Sequence, residues 1–172
     1  MNIIWHGHSC FEITGKDGTI VFDPYQANSV PGLNSLKLKA NLVLCSHEHD
    51  DHNARNCVEV APKDFKVTCI ETYHDHHQGS HRGKNTIHIV DFEDLKVVHM
   101  GDIGCMMDDI SKLKNCDVLM IPIGGYYTID TKEALKYIER IQPRIVIPMH
   151  YCSHEFGYDV LSTNEGFIQK SS

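Results

Sequence analysis

The stretch His47-Glu48-His49-Asp50-Asp51-His52 follows closely on the short apolar run Leu42-Val43-Leu44-Cys45. This apolar run is typical of a strand that is buried on both faces. If the chain stays extended beyond it, side chains 47, 49 and 51 project to one side, because side chains alternate along a strand. Two imidazoles and a carboxylate then converge, and His52 reaches a neighbouring point from the next turn. We therefore expect ligands for two metal ions here; the alternative is a solvated polar loop at a strand end.

Other predicted strands also end in side chains of the metal-ligating type. Sites gather at one set of strand ends in open α/β sheets, so these side chains are expected to share the site. His74 is the preferred ligand of its His-rich loop because it is nearest to the strand, whereas His76, His77 and His81 are expected to be exposed. The strands and their candidate ligands are Val67–Thr72 with His74, Lys96–Met100 with Asp102, and Arg144–Pro148 with His150.

Composition limits the class of protein. The chain has 172 residues, which predicts one domain over residues 1–172. Its formal net charge is −7, and it contains no basic stripe, so binding of nucleic acid or an anionic membrane is not expected. The seven cysteines lack a C-x-x-C pair and the first residues lack the pattern of a signal peptide, which predicts a cytoplasmic protein. A small-molecule substrate is expected, and a homo-oligomer is compatible with the sequence.

Short β-rich runs and few helices predict an α/β domain of two layered sheets. The clearest helix is Thr131–Gln142, with Asp130 as its N-cap and Pro143 after its end. Weaker helical patterns cover Asn53–Val60 and Met106–Leu113. The remaining predicted strands are Asn2–Trp5, Cys10–Thr14, Thr19–Phe22, Leu42–Cys45, Thr86–Phe92 and Asp117–Ile123.

The order of these segments resembles the metallo-β-lactamase superfamily, and more narrowly its small bacterial and archaeal hydrolase branch related to the ascorbate-6-phosphate lactonases. The resemblance covers nearly the whole chain. It is carried by Gly7-His8-Ser9-Cys10-Phe11, Phe22-Asp23-Pro24, Ser46 to His52, Arg82-Gly83-x-Asn85-Thr86, His99-Met100-Gly101-Asp102, Pro122-Ile123-Gly124-Gly125, Tyr127-Thr128-Ile129-Asp130 and Pro148-Met149-His150-Tyr151.

The resemblance implies a four-layered αββα sandwich with two divalent metal ions at the edge between its sheets. A metal-bridging hydroxide would be the nucleophile on a small, anionic ester, lactone or phosphodiester, and Asp51 would orient it. Zn is the default metal, and Mn or Fe also suits the ligand set. The implied ligands are His47, His49 and His74 for the first metal, Asp51, His52 and His150 for the second, and Asp102 for both.

Four further residues are candidates around this site. Arg82 could clamp an anionic substrate group, or it could pair with Asp75 or a neighbouring glutamate at the surface. Asn85 could bind substrate or stabilise its loop through backbone hydrogen bonds. His8 could approach the substrate or be structural, and His99 could donate a proton to the leaving group or support a ligand.

Two other functions remain open from the sequence. A phosphodiesterase or nuclease would use the same metal chemistry on nucleic acid, although the acidic net charge disfavours that substrate. A metal-binding protein without turnover would need the same ligands. Cleavage of a nucleic-acid substrate would favour the first alternative, and tight metal binding without turnover of ester, lactone and phosphodiester substrates would favour the second.

Overall fold

Two β-sheets packed face to face form the centre of the computed structural model, which describes residues 1–171. A 3₁₀ turn at Arg55–Cys57 and two α-helices complete the regular structure. The elements are β1 (Asn2–Gly7), β2 (Cys10–Gly15), β3 (Gly18–Phe22), β4 (Leu38–Ala40), β5 (Leu42–Leu44), β6 (Val58–Val60), β7 (Lys66–Tyr73), β8 (Lys84–Phe92), β9 (Leu95–His99), β10 (Val118–Pro122), α1 (Thr131–Ile141), β11 (Ile145–Met149) and α2 (Glu165–Ser171).

The strand order brings several strand ends to one edge. The first sheet has the order β1-β2-β3-β5, with β3 and β5 parallel. The second sheet has the order β11-β10-β9-β8-β7, and β9, β10 and β11 run parallel to one another. Because parallel strands end at the same edge, the segments that follow β9 and β11 leave the sheet side by side.

Apolar side chains from both sheets form the central core. Phe11, Ile13 and Phe22 of the first sheet pack with Val90 and Met120 of the second, and all five are fully buried. Burial of this apolar surface is the main stabilising contribution to the sandwich. The core therefore fixes the two sheets relative to each other at the edge where the predicted ligands lie.

Helix α1 covers the outer face of the second sheet. It buries Ala134, Tyr137 and Ile141 against that sheet's apolar side chains. Asp130 and Glu133 form a reciprocal capping box at its first turn, which satisfies backbone N–H groups there. The helix and its N-cap are thus confirmed.

The outer face of the first sheet has a different cover. Strands β4 and β6 pair in parallel as a small separate sheet. Ala40 and Val58 from these strands pack with Val21, Tyr25 and Val30. The structure is thus a mixed α/β sandwich in which this layer consists of strands and loops, where the αββα expectation places helices.

Two predicted helices are wrong. Residues Asn53–Val60 form a 3₁₀ turn followed by β6, because Val58–Val60 pairs with β4 instead of continuing a helix. Residues 106–113 are irregular, since side chains of α1 bind their backbone. Arg140 donates to the carbonyls of Met107 and Asp108, at 2.8 and 2.9 Å.

The predicted strands of the two sheets are confirmed to within two residues at each end. Leu42–Leu44 is only half-buried, however, because β5 is an edge strand of the first sheet. Strands β4 and β6 and helix α2 were not predicted. In residues 1–171, no helix combines the length and the apolar character required to cross a membrane.

Candidate metal centre

The loop after β5 bends instead of continuing the strand. The backbone N–H of His52 donates to the carbonyl of His49 at 2.9 Å, which turns the chain within the six-residue stretch. His47 and His49 consequently face one group of ligands, whereas Asp51 faces another together with His52. The expectation that residues 47, 49 and 51 point to one side is therefore wrong for Asp51, because the bend interrupts the alternation of the strand.

The carboxylate of Asp102 lies at the centre of the site and is almost fully buried. Its Oδ2 is 2.9 Å from Nε2 of His150, 3.1 Å from Nε2 of His52 and 3.3 Å from Nε2 of His74. These imidazoles come from three separate parts of the chain. The contacts therefore join the ends of β9 and β11, the loop after β5 and the loop after β7 at one point.

The short backbone connection before Asp102 depends on glycine. Gly101 has φ of +57°, and a Cβ there would collide with the side chains of Asn85 and Ser46. Asn85 Oδ1 also accepts a hydrogen bond from the Asp102 N–H at 2.8 Å. Gly101 thus allows the chain to pass close to Asn85, and Asn85 in turn fixes the backbone of Asp102.

The predicted ligands form two adjacent groups. In each group, one ligand atom from every residue lies within 4.8 Å of the others. A third combination, made by His47, His52 and Asp102, connects the two. The structure thus brings all seven predicted ligands together. The first group is His47, His49 and His74, and the second is Asp51, His52 and His150 with His8 beside them.

Hydrogen bonds to Nδ1 orient three of these imidazole rings. Asp23 Oδ2 lies 2.7 Å from Nδ1 of His52, as expected for a carboxylate that accepts from a ligand. Ser46 Oγ lies 2.9 Å from Nδ1 of His47, and the carbonyl of Tyr127 lies 3.0 Å from Nδ1 of His74. With Nδ1 engaged in this way, the Nε2 atom of each ring is directed to the site.

Burial and mutual charge set the protonation of the site. Burial lowers the pKa of His47 to about 3 and also lowers the pKa of His74, so both rings are neutral at pH 7. Burial opposes the charge of Asp102, but the imidazoles of His150 and His52 outweigh it and hold the pKa of Asp102 well below its usual range. At His52 burial is likewise outweighed, by Asp102 and other carboxylates, which raise the pKa of the ring.

The donor atoms fit divalent cations. Within residues 1–171, Nε2 of His47 and Oδ1 of Asp102 are buried without a hydrogen-bond partner, although buried polar atoms are normally satisfied. Neutral imidazoles and ionised carboxylates are the ligand set that Zn, Mn and Fe share. A cation between these atoms would satisfy them and balance the buried negative charge.

A cavity of about 270 Å³ opens onto the two groups. Arg82 lies at its wall, with the guanidinium carbon 5.4 Å from the ring centre of Tyr127 and 5.8 Å from that of Tyr126. This volume is close to the lower end for ligand pockets, so the cavity suits a small molecule. Its lining residues are His49, Asp51, His74, Arg82, Asp102, Tyr127, His150 and Tyr158.

Two predicted roles are corrected by burial. His99 is fully buried, stacks on Phe22 at 5.1 Å, and has its Nε2 2.9 Å from the carbonyl of Ser9. It does not line the cavity and so cannot donate a proton to a leaving group there. Asn85 is also fully buried and does not line the cavity; its amide nitrogen donates to Thr72 Oγ1, so it stabilises the loop instead of binding substrate.

His8 lies behind Asp51 and is fully buried. Its Nε2 is 3.1 Å from Oδ2 of Asp51, and its ring centre is 4.1 Å from that of His150. The predicted contact with substrate is therefore replaced by a contact with Asp51. Burial, with a contribution from His150, lowers the pKa of His8 to about 4, so the ring is neutral at pH 7.

The remaining histidines of the loop after β7 are at the surface, as expected. His76 lies near Glu133, with Nε2 to Oε1 at 3.4 Å, and the rings of His77 and His81 stack at 4.3 Å. Tyr158 is a cavity residue that the sequence did not reveal. Its hydroxyl lies 3.4 Å from Oδ2 of Asp51, but it belongs to an irregular segment without a recognisable motif.

Comparisons with known proteins agree with this fold. The family described as "Beta-lactamase superfamily domain" matches residues 2–150. A protein named UPF0173 metal-dependent hydrolase, from Thermoplasma acidophilum, is 30% identical over 189 residues, covering 88% of this chain and 83% of its own. A protein of the same name from Staphylothermus marinus is 31% identical over 192 residues, covering 84% and 81%.

The fold also matches solved structures. A protein of the metallo-β-lactamase superfamily from Thermotoga maritima aligns with a TM-score of 0.75 and 26% identity, covering 98% of this chain and 84% of that one. A metallo hydrolase from Ignicoccus hospitalis aligns with a TM-score of 0.69 and 20% identity, covering 98% and 88%. The family match spans both sheets and all seven proposed ligands, and the chain therefore belongs to the metallo-β-lactamase superfamily.

Proposed function

We propose that this protein is a dinuclear metal-dependent hydrolase of a small, anionic substrate. The observation that carries the proposal is the buried Asp102 carboxylate, which contacts imidazoles from three parts of the chain and adjoins both ligand groups. A carboxylate in this position can bridge two cations. The first cation would be held by His47, His49 and His74, the second by Asp51, His52 and His150, and Asp102 would be shared.

The proposed metals and the side chains of the protein would contribute different parts of the reaction. Two divalent cations held by these residues would lower the pKa of a bound water toward neutrality and polarise the bond under attack. Asp51 would orient the attacking water, since its carboxylate lines the cavity. Arg82 would bind a negatively charged group of the substrate, because a guanidinium pairs well with carboxylate and phosphate.

The size of the cavity supports a small-molecule substrate. A volume of about 270 Å³ fits a small ester, lactone or phosphodiester. Zn is the expected metal, with Mn or Fe as alternatives, because the ligand set does not distinguish strongly among them. The relatives named metal-dependent hydrolases support the same reaction class.

The free thiols support a cytoplasmic location. All seven cysteines are free, which supports a reducing compartment such as the cytoplasm. The cysteines provide no ligand to either proposed group. The hydrolase would therefore depend on histidine and aspartate alone for its metals.

The test is metal-dependent turnover. The purified protein is stripped with EDTA, reloaded with Zn or Mn, and assayed with bis(4-nitrophenyl) phosphate, 4-nitrophenyl acetate and a simple lactone. The proposal predicts turnover of at least one substrate only after reloading, and the substrate that reacts identifies the bond class. Tight metal binding without turnover of any of them would instead support a metal-binding protein.

A further inference from the structure

Asp75 organises the loop that follows β7. Its Oδ1 accepts hydrogen bonds from the backbone N–H groups of His77 and Gly79, at 2.7 and 2.9 Å. Its Oδ2 accepts from the N–H groups of His81 and Arg82, at 3.0 and 2.7 Å. The carboxylate is 3% exposed, so one buried charge gathers four backbone donors around itself. Charge-assisted hydrogen bonds of this kind are about twice as strong as neutral ones.

The loop is also closed at its base. The N–H of His74 donates to the carbonyl of Gly83 at 3.0 Å, and the N–H of Gly83 donates to the carbonyl of Gly79 at 2.9 Å. The segment that carries Arg82 is therefore attached at its base to His74, a proposed metal ligand, and along its length to Asp75. The backbone position of Arg82 at the cavity wall depends on both attachments.

The charge of Arg82 remains available to a ligand. Asp75 uses its oxygens on backbone N–H groups, and Glu71 pairs with Lys84 at 3.2 Å. Among residues 1–171, the Arg82 guanidinium has no hydrogen-bond or ion-pair partner and lies over the faces of Tyr126 and Tyr127. The surface pairing that the sequence left open is thus absent, and the donors of the guanidinium are free to bind an anion.

Arg82 is also the one side chain of permanent positive charge among the eight that line the cavity. The aromatic faces beside it limit the directions in which the guanidinium can turn. An anionic group that enters the cavity therefore meets one fixed cation of the protein besides the proposed metals.

We propose that Asp75 is a positioning residue that, by ordering the loop 75–82, holds Arg82 in place to select anionic over neutral substrates. This inference rests on the proposed hydrolase activity. Asp75 touches no substrate itself; it acts through the backbone of Arg82. The selectivity of the cavity is thus set by a carboxylate outside its wall.

The experiment compares two activated esters that differ in charge, 4-nitrophenyl acetate and mono-4-nitrophenyl succinate, on the Zn-loaded protein. Arg82→Gln is expected to raise KM for the succinate about tenfold more than KM for the acetate, the effect of losing a charge-assisted pair. Asp75→Asn is expected to raise the same KM severalfold with little change in kcat. Ser80→Ala, an exposed position of the same loop without a bond to Asp75, is the matched control and should behave as the wild type.

A second measurement reports loop order without any activity. Trypsin cleaves after arginine, so the rate of native-state cleavage at the Arg82–Gly83 bond follows the opening of this loop. Asp75→Asn is expected to raise this rate about tenfold, from the loss of two charge-assisted acceptor contacts, and Ser80→Ala to leave it unchanged. Asp75→Glu, which keeps the charge on a longer side chain, provides a second variant if Asp75→Asn does not fold.

The outcomes separate the two proposals. If Arg82→Gln abolishes the preference for succinate while the Asp75 variants keep both the wild-type preference and the wild-type cleavage rate, the role of Asp75 is wrong. If Arg82→Gln also leaves the preference intact, Arg82 is not the selecting cation. Failure of the wild-type protein to hydrolyse either ester, or any substrate of the panel above, contradicts the proposed function and with it this inference.

Discussion

Nδ1 of His52 lies 2.7 Å from Oδ2 of Asp23, and both side chains are fully buried. Asp23 directly follows β3, whereas His52 lies in the loop after β5, so this contact ties two parallel strand ends together. The Asp23 carboxylate also accepts from the backbone N–H of Ser46 and from its hydroxyl, both at 2.6 Å. One carboxylate thereby fixes both the start of the ligand loop and the orientation of the His52 ring.

Substitution of Asp23 should weaken the centre without removing a ligand. Asp23→Asn removes the charge and leaves one acceptor oxygen for the three donors that the carboxylate binds, so the His52 ring is held less firmly. We expect metal affinity or turnover to fall about 10- to 100-fold, the usual effect of losing such a support. Competition with a chromogenic chelator measures the metal affinity of each variant. Asp64→Asn, at an exposed carboxylate, is the control, and equal affinities in the two variants would show that Asp23 is not needed.

Loss of a ligand should have a stronger effect. His49→Ala and Asp102→Asn are each expected to lower metal content and to abolish hydrolysis, while circular dichroism shows that the fold is mostly intact. The fold persists because the apolar core between the sheets does not include either side chain. Elemental analysis after gel filtration gives the metal content. Full metal occupancy retained in both variants would contradict the ligand assignment.

Tyr158 offers a milder change at the cavity. Its hydroxyl donates to the carbonyl of Ser29 at 2.8 Å and lies 3.4 Å from Oδ2 of Asp51. Tyr158→Phe removes these polar contacts and keeps the ring, so we expect kcat/KM to fall up to about tenfold with unchanged metal content, as for the loss of one hydrogen bond. Tyr73→Phe, at a side chain 40% exposed, serves as the control. An unchanged kcat/KM for Tyr158→Phe would show that the hydroxyl does not contribute.

His88 should make stability depend on pH. This β8 side chain is buried, and burial lowers its pKa from 6.5 to about 4. Between pH 6.5 and pH 4, His88 is therefore protonated in the unfolded chain but neutral in the folded chain. The contribution of His88 to the free energy of unfolding is intact above pH 6.5 and is lost as the pH falls toward 4. The full contribution of His88 to the free energy of unfolding is about 3 kcal/mol.

The test compares wild type with His88→Leu by urea unfolding between pH 7 and pH 4.5. The variant should lose less stability over this range, because its apolar side chain cannot take up the proton. Loss of metal at low pH affects both proteins, so the difference between them isolates His88. Identical pH dependence of the two free energies of unfolding would contradict the neutral, buried state of this ring.

The seven proposed ligands could be brought to one site from the sequence because each follows a strand closely. His74, Asp102 and His150 could be selected from local apolar runs alone, since parallel strands deliver their ends to one edge. The direction of Asp51 was not predictable, because the hydrogen bond from His52 to His49 bends the loop. The local sequence pattern thus indicates which side chains share the site, whereas their division into two groups depends on the turn.

Other features depend on contacts that are distant in sequence. The strand Val58–Val60 exists because it pairs with Leu38–Ala40, and the irregular segment 106–113 is held by Arg140 of α1. The polar character of His99 suggested a role in catalysis, but it reflects a buried hydrogen bond to the carbonyl of Ser9. No local pattern distinguishes such a residue from one that faces the cavity.

The most direct test of the central claim is the number of metal ions that the chain binds. Elemental analysis of the purified, untagged protein, reloaded with Zn and freed of excess metal, is combined with turnover of bis(4-nitrophenyl) phosphate, 4-nitrophenyl acetate and a simple lactone. Two adjacent ligand groups joined by Asp102 predict about two ions per chain, with turnover appearing as they bind. Failure to retain Zn or Mn after reloading would contradict the dinuclear centre and the hydrolase built on it.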